Sequence, residues 1–161
     1  MANPKHVKLV KESIEEWNQW RRESPAEAPN LEEASLEGAN LRGAQLQKTD
    51  LQDVQFQKTD LQEAILTDSN LRGANLEEAN LEGSDLYIAE LQEANLQGAN
   101  LTDANLRGAN FQGVKNLSCN QINSVKSLDK ETKLPDYLEV KITGDNQWTC
   151  KGVKKEKDNQ K

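Results

Sequence analysis

From Leu31 to Phe111 every fifth residue of the chain is leucine or phenylalanine, without one insertion. The positions are Leu31, Leu36, Leu41, Leu46, Leu51, Phe56, Leu61, Leu66, Leu71, Leu76, Leu81, Leu86, Leu91, Leu96, Leu101, Leu106 and Phe111. Two residues before nearly every one stands a small or β-branched residue, as in Ala34, Thr49, Val54 and Ser69, with Pro29 as the exception at the start. The residue between is most often Asn or Asp. On an α-helix a step of five residues turns about 500°, which smears the leucines around the cylinder. Strict strand alternation has period two and also fails. A period of five fits a short extended piece followed by a corner. In the extended piece residues two apart share a face, so the small residue and the leucine point inward and the Asn or Asp points outward. The two residues after the leucine make the corner, where Asn, Asp and Gly are favoured.

The flanks follow other rhythms. The segment "NPKHVKLVKESIEEWNQWRRESP" predicts one helix, with Asn3 as N-cap, Pro4 in the first turn and Pro25 beyond its end. Val7, Val10, Ile14 and Trp17 fall on one stripe that Trp20 extends, and this stripe is expected to cover the first coil. A docking helix for a partner is the other reading. Beyond Phe111, Ser118 and Gln121 form a capping-box pattern opening a short helix with Ile122 and Val125 inward. The stretch "YLEVKITGDNQWTCKGV" alternates Leu138, Val140 and Ile142 before "GDN" and Trp148 and Cys150 after it, which predicts a β-hairpin.

Composition then narrows the class. Only 35% of the 161 residues are apolar and 4% aromatic, and the mean hydropathy is −0.88. Such values usually mean disorder, but a strict repeat reverses that reading, because stacked repeats share a core. No apolar run is long enough to span a membrane. The opening "MANPKHVKLVKES" lacks the apolar stretch of a secretory signal. The net charge of −7 is uneven. Residues 31–113 hold five basic against fifteen acidic side chains, residues 1–30 balance, and residues 114–161 hold ten lysines against seven acids. An acidic middle argues against binding nucleic acid. The lysine-rich end "KGVKKEKDNQK" reads as a solvated tail, with a basic arm as the other reading. Cys119 and Cys150 are expected as free thiols in a reducing cytoplasm, the alternative being one bridge closing the C-terminal part.

The repeat A(N/D)LxG, in stretches such as "LRGANLEEANLEG" and "LQGANLTDANLRGANF", resembles the pentapeptide-repeat family over residues 31 to about 113. The flanks resemble those of its cyanobacterial members, which begin with a Trp-containing helix and follow the last coil with a short helix. The resemblance implies an all-β solenoid: a right-handed quadrilateral β-helix with four pentapeptides per coil, hence about four coils. At about 4.8 Å per coil the shaft is about 20 Å long. The expected organisation is an N-terminal capping helix and linker at 1–28, the β-helix at 29–115, and a C-terminal cap with hairpin and tail at 116–161.

Candidate chemistry is sparse. His6 is the only histidine, which disfavours Ser–His and Cys–His couples and any metal site there. No Cys/His cluster has zinc spacing and no glycine-rich phosphate loop follows a strand. Twenty-residue coils stack Asp50 between Asn30 and Asn70, and Asp60 between Asn40 and Asn80. Stacked carboxylates suit Ca²⁺ or acid–base work, although hydrogen bonds to the corner backbone explain them more simply. No enzyme activity, cofactor or metal is expected.

The departures from the polarity rule are the functional handle. Tyr87 and Ile88 occupy corner positions that elsewhere carry polar residues or glycine, and Ile65 holds an outward position one coil earlier on the same face. With Arg107 one coil later they form a candidate protein-interaction patch on an acidic face. The local reading instead stacks Tyr87 on Arg107. The expected function is a monomeric, cytoplasmic, non-catalytic scaffold or regulator that binds an unidentified protein, with no nucleic acid or membrane as partner. The alternative, implied by the family, is a DNA mimic that binds a type II topoisomerase (gyrase) through its negative surface. A ligand site in the terminal hairpin ranks last.

Overall fold

A computed structural model describes residues 1–144 and 146–153. The repeat region forms a stack of coils that closes every twenty residues. Parallel bridges link Asn30 to Asp50, Asp50 to Asn70, Asn70 to Glu90 and Glu90 to Asn110 along one side, and the other three sides repeat the spacing. Each coil is tied to its neighbours by backbone hydrogen bonds, such as Leu51 N–H to the Asn70 carbonyl at 2.8 Å and Asn70 N–H to the Thr49 carbonyl at 3.1 Å. All seventeen Leu and Phe positions are buried in one continuous core, with the small residues beside them. Ala39 alone of the small residues is half-exposed.

The corner explains the rest of the pattern. Residue n+3 bonds back to the leucine carbonyl, as from Ala34 N–H to Leu31 at 3.0 Å. In all seventeen repeats the second corner residue has a positive φ, the conformation that a type II turn requires there. The Asn or Asp before the leucine accepts from the backbone N–H two residues on, as Asp50 Oδ1 does from Gln52 at 3.2 Å. That bond is the local reason for the residue type.

Two helices, not one, precede the stack: α1 at Pro4–Glu12 and α2 at Ile14–Glu23. Ser13 breaks the expected single helix. Its backbone is extended, with φ −156° and ψ 123°, and its hydroxyl accepts from Glu16 N–H, so it starts α2 as an N-cap. The break re-aims the stripe. Val10 and Trp17 are buried and are joined by His6 and Arg21, whereas Val7, Ile14 and Trp20 are half-buried against the core.

After Phe111 the repeat stops but the coil does not. Lys115, Ser127 and Lys133 continue the ladders above Asn95, Asn105 and Asn110. A fifth, irregular turn therefore extends past the boundary at 115 that the sequence pattern suggests. It contains α3 at Cys119–Ser124, which opens with the Ser118–Gln121 capping box and buries Ile122, followed by Val125 and Leu128. The hairpin β1 (Leu138–Gly144) and β2 (Gln147–Gly152) follows as an antiparallel pair with Ile142 opposite Trp148. Cys119 and Cys150 are joined by a disulfide, which replaces the expectation of two free thiols. The pairing of β1 with β2 and the packing of β2 on α3 carry the two residues to a Cα separation of 5.4 Å. The lysine-rich end from 154 lies outside the described residues.

Candidate interaction edge

Four corner columns run along the stack as edges, and their charges differ. One edge pairs Arg42 with Glu63, Glu82 and Asp103. A second sets Arg72 among Glu32, Glu33, Asp53 and Glu93. A third sets Lys58 among Glu37, Glu77 and Glu78. The fourth, built from the corners at 47–48, 67–68, 87–88 and 107–108, carries Lys48 and Arg107 against Asp68 alone. Tyr87 and Ile88 sit on this fourth edge. The apolar pair therefore lies on the least acidic line of the shaft, with Asp85 and Glu90 on the flanking strands, and not on an acidic edge as the overall charge suggests.

Ile88 occupies the second corner position with φ 51°. Of the seventeen residues at this position seven are Gly and the others are Glu, Asp or Lys, apart from Ile88. A β-branched side chain in the left-handed region is strained, by about 1–2 kcal/mol on the general scale for L-residues. The next coil makes room for it. A Cβ at Gly108 would lie 2.9 Å from Ile88 Cγ2, so Gly108 leaves space for that methyl group. Ile88 is 40% exposed, Tyr87 44% and Ile65 38%, and they are the exposed large apolar residues of the repeat region. Ile65 stands in the strand leading to this edge, bridged to Asp85 above it.

Arg107 does not stack on Tyr87 in the way a cation–π pair requires; its Nε donates to Asp129 at 3.4 Å. Asp129 also accepts from Gly108 N–H at 3.0 Å and from Thr132 N–H and hydroxyl. Burial acts to raise its carboxyl value, but these bonds outweigh burial and hold it below the ordinary 3.8. Tyr87 N–H donates to Asp85 Oδ1 at 3.1 Å, which fixes the corner beneath the exposed ring. Ile142 of β1, 42% exposed, shares a cleft of about 650 Å³ with Arg107, so the hairpin prolongs the same edge.

The other candidates resolve differently. Asp50 Oδ1 takes Asn70 Nδ2 at 3.0 Å and Asp60 Oδ1 takes Asn80 Nδ2 at 3.2 Å, beside their bonds to the corner N–H groups. These carboxylates are thus engaged in the coil ladder. Among the described residues no group of three or more His, Cys, Asp or Glu is arranged to hold a metal ion. His6 accepts Asn30 N–H at Nδ1 (3.1 Å), so Nε2 carries the proton toward Glu27 Oε1 at 3.1 Å. Among the described residues no helix is long and apolar enough to cross a membrane. Ile88 was findable in the sequence as the one β-branched residue at a position otherwise held by Gly, Glu, Asp or Lys. The charge of each edge was findable only once the coil length was known.

With this geometry in place, the chain matches the family described as pentapeptide repeats, in eight copies over residues 28–56, 49–87 and 89–118, and it belongs to that family. Its members form right-handed quadrilateral β-helices and are generally structural or interaction proteins. Among solved structures it is similar to the pentapeptide repeat protein Rfr23 from the cyanobacterium Cyanothece 51142, at 31% identity over 73% of this chain and 97% of that one, with TM-score 0.55. It is also similar to a pentapeptide repeat protein of the Arabidopsis thaliana thylakoid lumen, at 26% identity over 67% and 71% of the two chains, with TM-score 0.51. A third, from Nostoc PCC 7120, is 24% identical over 73% and 93%, with TM-score 0.53, and shows the fold alone. Comparison with curated proteins returns no match.

Proposed function

We propose that this chain is a non-catalytic interaction scaffold that binds a protein through the Tyr87–Ile88 edge, with the flanking helices and hairpin serving as end covers. The observation that carries this reading is Ile88: a strained, exposed β-branched residue beside an exposed tyrosine on the least acidic edge. Strain at a single exposed site is the kind of local outlier that marks function, and an aromatic–aliphatic cluster suits an interface centre. Retention of proteins from a host extract by the wild-type chain, lost with Tyr87→Ser/Ile88→Asn, is the expected result. Identical partners for both would remove this edge as the binding surface.

Charge favours a second reading, DNA mimicry toward gyrase. Three of the four edges each carry three or four acids to one base. Inhibition of supercoiling at low micromolar protein, abolished when the acids of those edges become Gln, would support it. A normal supercoiling rate at that concentration would end it.

The bridge between Cys119 and Cys150 favours an oxidising compartment over the cytoplasm, and one similar structure comes from a thylakoid lumen. Alkylation of the native protein before reduction should leave both cysteines unlabelled; two labelled thiols would restore the cytoplasmic assignment.

A further inference from the structure

We infer that the Tyr87–Ile88 edge binds a second copy of this chain, antiparallel, about a two-fold axis level with the Tyr87 coil. The inference rests on reading this edge as an interaction surface, and it names the occupant. A two-fold interface is self-complementary, because every residue pair across it occurs twice. The order of groups along the edge has that property. From the N-terminal end it presents Lys48, Asp68, the Tyr87–Ile88 pair, Arg107 and then Asp129 and Glu131 around Lys130, one coil apart at each step. Reversed and laid against itself on Tyr87, it sets Arg107 against the partner's Asp68, and Lys48 against the acidic pair near the partner's Lys130. Laid parallel, it sets each charge against its own kind.

Two further observations point the same way. Lys48 and Asp68 side chains make no ion pair or hydrogen bond among the described residues, and Arg107 engages Asp129 through Nε. Lys48 and Asp68 are therefore available, Glu131 is the unengaged acid beside Lys130 among the described residues, and Arg107 keeps its two terminal nitrogens for a second carboxylate. The other three edges each hold three or four acids to one base, so a second copy approaching them meets like charge, which disfavours association there. At the centre, Tyr87, Ile88 and Ile65 of both copies would cover one another, with Ile142 of each copy toward the partner's Ile65. An edge this narrow buries less than the roughly 1,200 Å² of a standard stable interface, so a weak, concentration-dependent dimer is expected.

Sedimentation equilibrium of the full chain from micromolar to millimolar concentration tests this. Wild type should show a monomer–dimer equilibrium. Asp68→Lys and Arg107→Asp should each weaken it by about tenfold or more, since each homodimer then holds two like-charge pairs. An equimolar mixture of those two variants should recover wild-type association, because every pair in the mixed dimer is again opposite in charge. Ile88→Gly should abolish association while raising the thermal midpoint through relief of the left-handed strain, which separates lost binding from lost folding. A wild-type chain that stays monomeric to millimolar concentration overturns the inference, as does a mixture no tighter than either variant alone. A monomeric chain that still loses a heterologous partner with Tyr87→Ser overturns self-association and leaves the scaffold reading standing.

Discussion

At the N-terminal end of the stack, the carbonyls of Gly43, Gln45 and Gln47 accept from Asn18 Nδ2, Trp17 Nε1 and Arg21 Nη2 at 3.0, 3.0 and 2.8 Å. The N–H groups of Asn30 and Gln45 donate to His6 Nδ1 and Asn18 Oδ1. At the C-terminal end, the chain itself goes on coiling. Backbone from Ser124, Ser127 and Lys133 pairs with Asp103, Leu106 and Phe111, and side chains fill only the gaps, such as Gln121 Nε2 to the carbonyls of Leu96 and Ala99. A disulfide and the hairpin then tie that irregular turn down. Both ends face unpaired coil backbone, which is costly when buried and invites stacking when exposed. One end meets it with side chains on two non-covalently held helices, the other with backbone and a covalent link. The difference teaches that the N-terminal end depends on a few large side chains, whereas the C-terminal end depends on a loop constraint.

Substitution at Trp17 should break that comparison most sharply. Trp17→Ala removes a fully buried indole and its bond to Gln45, with an expected loss of about 3–5 kcal/mol in urea unfolding. Amide exchange should rise first at Leu31 to Leu46 and last at Leu106 and Phe111. Equal loss of protection at both ends would show that the stack unfolds as one unit and that the ends are not independent.

Removal of the bridge comes next. The 31-residue separation of Cys119 and Cys150 gives an expected loss of about 3–4 kcal/mol for Cys119→Ser/Cys150→Ser. Exchange should rise in β1, β2 and α3 while the first coil keeps its protection. A reducing agent should match the double variant on wild type and do nothing to the variant. A variant as stable as wild type would mean that backbone pairing alone secures this end.

The smallest effect concerns Asp129, where the coil, Arg107 and the irregular turn meet. A carboxyl held below its ordinary value contributes stability above pH 4 that is lost as pH falls through its lowered value. Asp129→Asn should therefore cost about 1 kcal/mol near neutral pH, with the gap to wild type closing under acid. A gap independent of pH would mean that the carboxylate charge plays no part in holding the turn.

The period of five placed each residue inward, outward or at a corner before any coordinates, because the leucine, the small residue and the Asn or Asp each answer a local demand: inward packing, close approach and a corner bond. The four-sided coil followed from the resemblance to the pentapeptide-repeat family. The capping box at Ser118 and the hairpin around 138–152 were legible for the same reason, since each is specified by neighbours in sequence. The break at Ser13 was not, because its flanking residues fit one continuous stripe. Ser13 ends α1 and caps α2 as Trp17, Asn18 and Arg21 reach the carbonyls of the first coil. Nor was the bridge, which requires β2 to return onto α3. Tyr87, Ile88, Ile65 and Arg107 stood out in the sequence as irregularities. Stacking residues twenty apart already puts them on one face. Only the tertiary structure decided that Arg107 engages Asp129 and not Tyr87, because the irregular turn that carries Asp129 has no repeat to place it.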